Sequence, residues 1–245
     1  AIRHARRRNP GMQNYSATPL FGWEIPPTTL PVPLTNIHSI DTVDDDQKTE
    51  VAFSLSNGNT IKLHFQDGSR CFFTAENDGP RITTSSGFKK QYPIDIYSFP
   101  TLGPLEEEEN YHGDEYVERV RASRLAHRSF RNIWYRQEAL FPLFKEMVEA
   151  SWPGVKIHYP NRYGFAPARL EMFYEEERRS REVSWAGFGF QIWLQLLTHL
   201  TTSANATTLI VDEPEIYLHP DVQHRFFELL RASDKQLLLA THSSE

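Results

Sequence analysis

Apolar and polar positions change their rhythm along this chain, and each rhythm predicts different elements. From Glu50 to Thr74 the apolar runs are short and rich in aromatic and β-branched residues: VAFSL, IKLHF and CFFT, separated by SNGN and QDGS. Asn57-Gly58 and Asp67-Gly68 tolerate the positive φ of tight turns, so the spacing predicts an antiparallel meander. PIDIYSF predicts a further short strand, followed by a proline-punctuated loop and the acidic block Glu106–Glu109. Residues 115–150 carry helical character broken near Pro142, and KIHY and RLEMFYEE then read as strands around a Pro153-Gly154 turn. Residues 1–35 are basic and then rich in proline (Pro26, Pro27, Pro31, Pro33), which reads as a helix end followed by an extended connector.

Residues 181–245 are different. FQIWLQLLTHL predicts a strongly apolar helix, TTLIV a buried strand, DVQHRFFELLRAS an amphipathic helix and QLLLATH a second buried strand. Strand, helix and strand without alternation predict a parallel sheet with covered faces. The expected fold class is therefore α/β, a parallel core sheet with an antiparallel β-meander and a helical lobe. We divide one domain, 1–245, into a connector (1–35), an antiparallel β subdomain (36–105), a helical lobe (106–180) and a core (181–245). Asp212 and His242 are separated by about one βαβ unit. Both are thus expected at carboxyl ends of parallel strands, where open α/β sheets place their ligands.

Composition narrows the function classes. A hydrophobic share of 39% with 13% aromatics argues for a folded chain. No apolar run approaches the length of a membrane span, and no signal segment opens the chain. A single cysteine, Cys71, excludes an internal disulfide and cysteine metal clusters, and is read as a reducing cytoplasm. The net charge of −6 gives no global attraction to nucleic acid, so any such contact needs a local patch. Arg121, Arg124, Arg128 and Arg131 follow a 3–4–3 spacing that predicts one helix face. That face is either a solvated stripe paired with neighbouring acids or a contact for the phosphates of a nucleotide or of DNA.

The candidate chemistry lies at the strand ends. A carboxylate at a buried strand tip is costly unless something positive holds it, and Mg2+ on a nucleotide phosphate would do so. Asp212 is the natural ligand on the metal side; Glu213 can accept a proton from an attacking water. His242 could hydrogen-bond the terminal phosphate or that water. In REVSWAGFGFQIWLQ, Gly187 and Gly189 precede a long helix, whose free N–H groups and positive dipole end suit a phosphate.

These residues carry a resemblance. TTLIVDEPEIYLHPDVQ resembles the Walker B segment and D-loop of ABC-type ATPases, and LLLATHS their switch-histidine strand. The EPE and LHP forms are similar to the OLD-like and SMC-like branch of soluble prokaryotic ATPases of the AAA/ABC type. WAGFGFQ occupies the place of the ABC signature motif. The likeness is strong over 181–245 and architectural over 36–180.

The resemblance implies a P-loop NTPase fold of ABC-ATPase type that binds ATP and Mg2+. It makes Asp212 the Mg2+ ligand, Glu213 the catalytic base and His242 the sensor of the γ-phosphate. His219 and Pro220 would lie in the D-loop, and Gly187, Gly189 and Gln191 would contact the nucleotide of a second copy. A head-to-head homodimer around two ATP molecules is implied, controlling an effector such as a nuclease in DNA repair or phage defence. The other function class is a module that dimerises on nucleotide without turnover. The chain departs from the pattern twice. The signature serine is replaced by Ala186 or, in another alignment, by Phe188, and no G-x-x-x-x-G-K-[ST] occurs; SSGFKK lacks the loop. The Walker A segment is expected before Ala1, with AIRHARRR as the end of its helix, so the chain reads as a fragment whose ATP affinity alone is poor.

Overall fold

The meander expected between Glu50 and Thr74 is present and belongs to a larger sheet. The computed structural model describes residues 5, 8–15, 18–26, 48–66, 70–121, 123, 125–165, 167–215 and 217–242. Two units, Ala1–Ile94 and Asp95–Glu245, divide the chain. In the first, β3 (Lys48–Ser54), β4 (Thr60–Gln66) and β5 (Arg70–Glu76) pair antiparallel in sequence. Gly58, at φ 83°, turns the chain between β3 and β4, as Asn57-Gly58 predicts. The second turn, at Asp67-Gly68, lies outside the described residues.

The connector expected over residues 1–35 is instead a hairpin where it is described. β1 (Gly11–Tyr15) pairs with β2 (Thr18–Ile25), and β2 pairs with β5, giving the order β1-β2-β5-β4-β3. Trp23 and Ile25 are buried while Glu24 faces out, the strand period that the nearby prolines obscured. Gly22 is required by close approach: a Cβ there would lie 2.2 Å from the Phe73 carbonyl oxygen. Residues 27–47, with three of the four prolines, lie outside the described residues.

SSGFKK forms helix α1 (Ser85–Gln91), capped by Thr84, whose hydroxyl accepts from the Gly87 N–H at 3.1 Å. It sets Phe88 on the sheet beside Trp23 and Phe73, whose rings stack with centroids 4.9 Å apart.

The second unit contains a parallel sheet of three strands, ordered β14-β13-β6. Its strands are β6 (Ile96–Ser98), β13 (Thr208–Asp212) and β14 (Gln236–Ala240), all parallel. PIDIYSF thus joins the core sheet rather than the meander. The helical lobe comprises α2 (Asp114–Arg121), α3 (Phe130–Arg136) and α4 (Phe141–Ser151), with 3-10 turns between them. Pro142 lies in the first turn of α4, where its missing N–H costs nothing, so it starts a helix as well as ending the preceding segment. Two antiparallel sheets follow. One is β7 (Glu109–Asn110), β10 (Arg169–Glu171) and β9 (Asn161–Tyr163); the other is β12 (Arg179–Glu182), β11 (Phe173–Glu176) and β8 (Val155–Ile157). Helix α5 (Phe188–Thr202) is buried on nearly every side, as apolar residues spread around its circumference require. The crossover helix α6 (Pro220–Arg231) joins β13 to β14. Among the described residues no helix is long and apolar enough to cross a membrane.

Two expectations are corrected here. QLLLATH is not buried throughout: Leu238 and Leu239 are 46% and 43% exposed, because β14 is the edge strand among the described residues. The described arginines, Arg121, Arg128 and Arg131, do not share a helix face. Ser123 ends α2, its hydroxyl donating to the Val120 carbonyl at 2.8 Å and accepting from the Leu125 N–H, so the helical phase is lost. Arg121 pairs with Glu118 and Arg128 with Glu106, Arg131 is buried, and Arg124 lies outside the described residues.

Two features have measurable consequences. The β11–β12 hairpin turns on Glu177 and Arg178, both left-handed at φ 51° and 62°, a turn that prefers Asn-Gly. Replacing the pair by Asn-Gly is expected to raise unfolding stability by about 1–2 kcal/mol in chemical denaturation. His199 is buried on α5 with its Nδ1 paired to the Tyr97 hydroxyl at 2.9 Å. Burial, reinforced by the Arg121 charge, lowers its pKa from 6.5 to about 3. The folded state therefore holds a neutral ring where the unfolded chain would protonate it. This contribution is full above about pH 6.5 and is lost as pH falls toward 3. His199→Gln is expected to flatten the fall in stability over that window by up to about 1.4 kcal/mol per pH unit, read by denaturation at stepped pH.

Candidate nucleotide site at the strand tips

Parallel pairing brings the carboxyl ends of β13 and β14 side by side, with Asp212 opposite Ala240. One further bond, from the Glu213 N–H to the Ala240 carbonyl at 2.8 Å, carries the pairing past the strand end. There Glu213 turns left-handed, at φ 47°. That conformation costs a non-glycine residue about 1–2 kcal/mol, and it takes the side chain off the line of β13. Its Oε1 lies 3.2 Å from Nε2 of His242. Two residues predicted only to occupy neighbouring strand tips are therefore in contact.

Asp212 is exposed, and among the described residues its carboxylate has no hydrogen-bond or ion-pair partner. Among those residues no group of three or more His, Cys, Asp or Glu side chains could hold a metal alone. A single hard oxygen donor beside open space fits Mg2+, which takes one or two carboxylates and fills its shell with phosphate oxygens and water. A transition-metal site would need the missing cluster.

The loop after Glu213 is tightly tied. Glu215 Oε1 accepts from the Thr241 hydroxyl at 2.7 Å and from the His242 N–H at 2.8 Å. Tyr217 is also left-handed, at φ 66°, and its ring meets Phe188 edge-on with centroids 4.5 Å apart. His219 caps α6, with Nδ1 accepting from the Asp221 N–H at 3.4 Å and Pro220 in the first turn. In this chain His219 thus has a local structural task.

Gly187 is the N-cap of α5, and among the described residues nothing stands within 4 Å of the position a side chain would take. A Cβ on Gly189 would meet the Tyr217 carbonyl at 3.5 Å, an ordinary contact. Packing among the described residues therefore does not account for Gly187. Gln191 behaves otherwise: it is buried, with Oε1 accepting from Leu105 N–H at 2.8 Å and Nε2 donating to the Ser184 and Ala186 carbonyls, each at 2.8 Å. Its amide braces the glycine segment from behind, with both N–H donors used.

The same segment is braced by a buried ion network that sequence reasoning missed. Glu182 accepts from the Ser184 N–H at 2.7 Å through Oε2, and from Arg131 Nε at 2.7 Å through Oε1. Arg131 NH1 reaches Glu109 at 3.2 Å, and Glu109 also receives the Asn132 N–H and side-chain amide, each at 2.7 Å. Burial pushes the Glu109 carboxyl up, opposed by the Arg131 charge and these donors. Arg131 looked like a surface charge because its 3–4 spacing joined it to Arg121, Arg124 and Arg128. The only available signal was its place among Phe130, Ile133 and Trp134, the apolar side of α3.

The comparisons with known proteins agree in direction. The chain belongs to the family described as "AAA domain, putative AbiEii toxin, Type IV TA system", whose model matches residues 36–245. By that family it is an AAA domain, in line with the resemblance that DEPEIYLHP and LLLATHS carry. No curated protein matches it significantly. Among solved structures it is similar to an Smc head bound to the C-winged helix domain of ScpA, at 15% identity and TM-score 0.48 over 80% of this chain and 66% of that one. The SMC head domain of Thermotoga maritima matches at 12% identity and TM-score 0.42, over 80% and 64%. The Pyrococcus furiosus Smc head bound to the C-terminal domain of ScpA matches at 14% and 0.45, over 76% and 66%. The chain spans no more than 66% of the length of these proteins.

The buried network makes a stability contrast. Arg131→Ala strands two buried carboxylates and is expected to cost about 3–5 kcal/mol in chemical denaturation. Arg128→Ala, which removes an exposed ion pair to Glu106, is expected to cost less than about 1 kcal/mol.

Proposed function

We propose that this chain is the ATP-binding and ATP-hydrolysing head of a larger protein, which pairs head to head with a second copy and controls an attached or partner effector. The observation that carries it is the contact of Glu213 with His242, at 3.2 Å, on adjoining parallel strand tips beside Asp212, whose carboxylate has no partner among the described residues. Asp212 would hold Mg2+, which when bound neutralises charge on the phosphate oxygens. Glu213 Oε1, on a side chain 41% exposed, takes the proton of the attacking water. His242 Nε2 is the donor placed beside it for a phosphate oxygen or that water. Gly187 and Gly189 offer backbone N–H groups at the start of α5, toward the phosphate of a partner's nucleotide.

Hydrolysis also needs a phosphate-binding loop outside these 245 residues, since no G-x-x-x-x-G-K-[ST] occurs within them. The effector we assign is a nuclease acting in DNA repair or phage defence, on the strength of the sequence resemblance. DNA contact through an arginine face finds no support, because Arg131 is buried and the helical phase breaks before Arg128.

In the protein carrying its phosphate-binding loop, Glu213→Gln keeps the size of the side chain but cannot take a proton. Its phosphate release is expected to fall by at least about 100-fold with ATP binding retained. Equal rates in the two proteins would remove Glu213 as the base. The lost signature hydroxyl, at Ala186 or Phe188, favours a second reading, dimerisation on nucleotide without turnover. Dimers that form on MgATP with background phosphate release from both proteins would establish it.

A further inference from the structure

Glu215, the third acid of DEPE, has no part in the chemistry proposed above. It sits in the loop between β13 and α6, yet its side chain crosses to the neighbouring strand. There a single oxygen, Oε1, accepts from the Thr241 hydroxyl at 2.7 Å and from the backbone N–H of His242 at 2.8 Å. The loop that carries Glu215 is itself anchored. Its carbonyl accepts from Leu218 N–H at 3.1 Å and from Gln223 Nε2, on α6, at 3.3 Å.

His242 lies two residues beyond the end of β14, past the last ladder pair at Ala240, and its side chain is 89% exposed. An exposed imidazole at a strand end samples many directions unless its backbone is held. We propose that Glu215 is the positioning residue for His242. By accepting the N–H that a continuing strand would have paired, it fixes the direction in which the imidazole leaves β14. It thereby sets the approach of Nε2 to Glu213.

The two glutamates, two positions apart, divide their tasks by geometry. Glu213 turns left-handed and presents its carboxylate beside the imidazole; Glu215 turns back and spends Oε1 on protein donors. What the second task requires is an oxygen lone pair at that point, and a carboxamide supplies one as well as a carboxylate does. A base would need the charge.

That difference gives the test, which rests on the assignment of Glu213 and His242 as a working pair but keeps one arm independent of it. Amide hydrogen exchange at His242 is measured without nucleotide in the wild type, Glu215→Gln and Glu215→Ala. Kcat and KM for ATP are measured on the same variants carrying the phosphate-binding loop. Glu215→Ala is expected to speed exchange at His242 by about 10-fold or more. It should lower kcat by about 10- to 100-fold with KM within about twofold. Glu215→Gln should stay within about threefold of wild type in both, since the acceptor remains. Unchanged exchange in Glu215→Ala overturns the proposal, and so does a Gln variant as damaged in kcat as the Ala variant. A wild type without hydrolysis would count against the ATPase assignment, while the exchange arm would still decide whether Glu215 holds His242.

Discussion

Parallel pairing of β13 with β14 is the constraint on which the candidate site depends. Only parallel strands bring two carboxyl ends to one edge, and joining them takes a crossover long enough to hold a helix. Here α6 is that crossover, and the register sets Asp212 against Ala240. Asp212, Glu213 and His242 all lie within a few residues of that pair. Glu213 carries the pairing one bond further and then turns away; His242 leaves from the facing end. An antiparallel partner would have put the carboxylates and the imidazole at opposite ends of the sheet.

The site is held by interactions that cost something. Left-handed residues at Glu213 and Tyr217 are unfavourable in isolation, and such strain persists only where neighbours over-determine it. The neighbours are visible: Glu215 clamps the end of β14, Gln223 and Leu218 hold the loop, and Phe188 packs on Tyr217. On the other side, the glycine segment before α5 is braced by Gln191 and by the Arg131–Glu182 pair. Arg131 is 0% exposed, so its charge is tolerable only because Glu109 and Glu182 surround it.

Local chemistry was legible in the residues. TTLIV, FQIWLQLLTHL and DVQHRFFELLRAS became β13, α5 and α6, because apolar runs of those lengths have few other solutions. The Asn57-Gly58 turn was equally plain. The hairpin of β1 and β2 was not, since prolines downstream dominated a segment whose alternation is only Trp23, Glu24 and Ile25. The arginine stripe misled for a related reason: a 3–4 spacing marks a face only while the helix continues, and Ser123 ends it.

By itself, the sequence determined the order of elements in the core and the kind of chemistry its strand ends invite. Those properties follow from side-chain type and near-neighbour spacing, which are local. Only the tertiary structure decided that Glu213 meets His242, that Glu215 holds the backbone of His242, and that Arg131 is buried against Glu109 and Glu182. Each of these joins residues far apart in the chain. No spacing rule reaches across such gaps, because the contact is made by packing and strand register, not by the residues between.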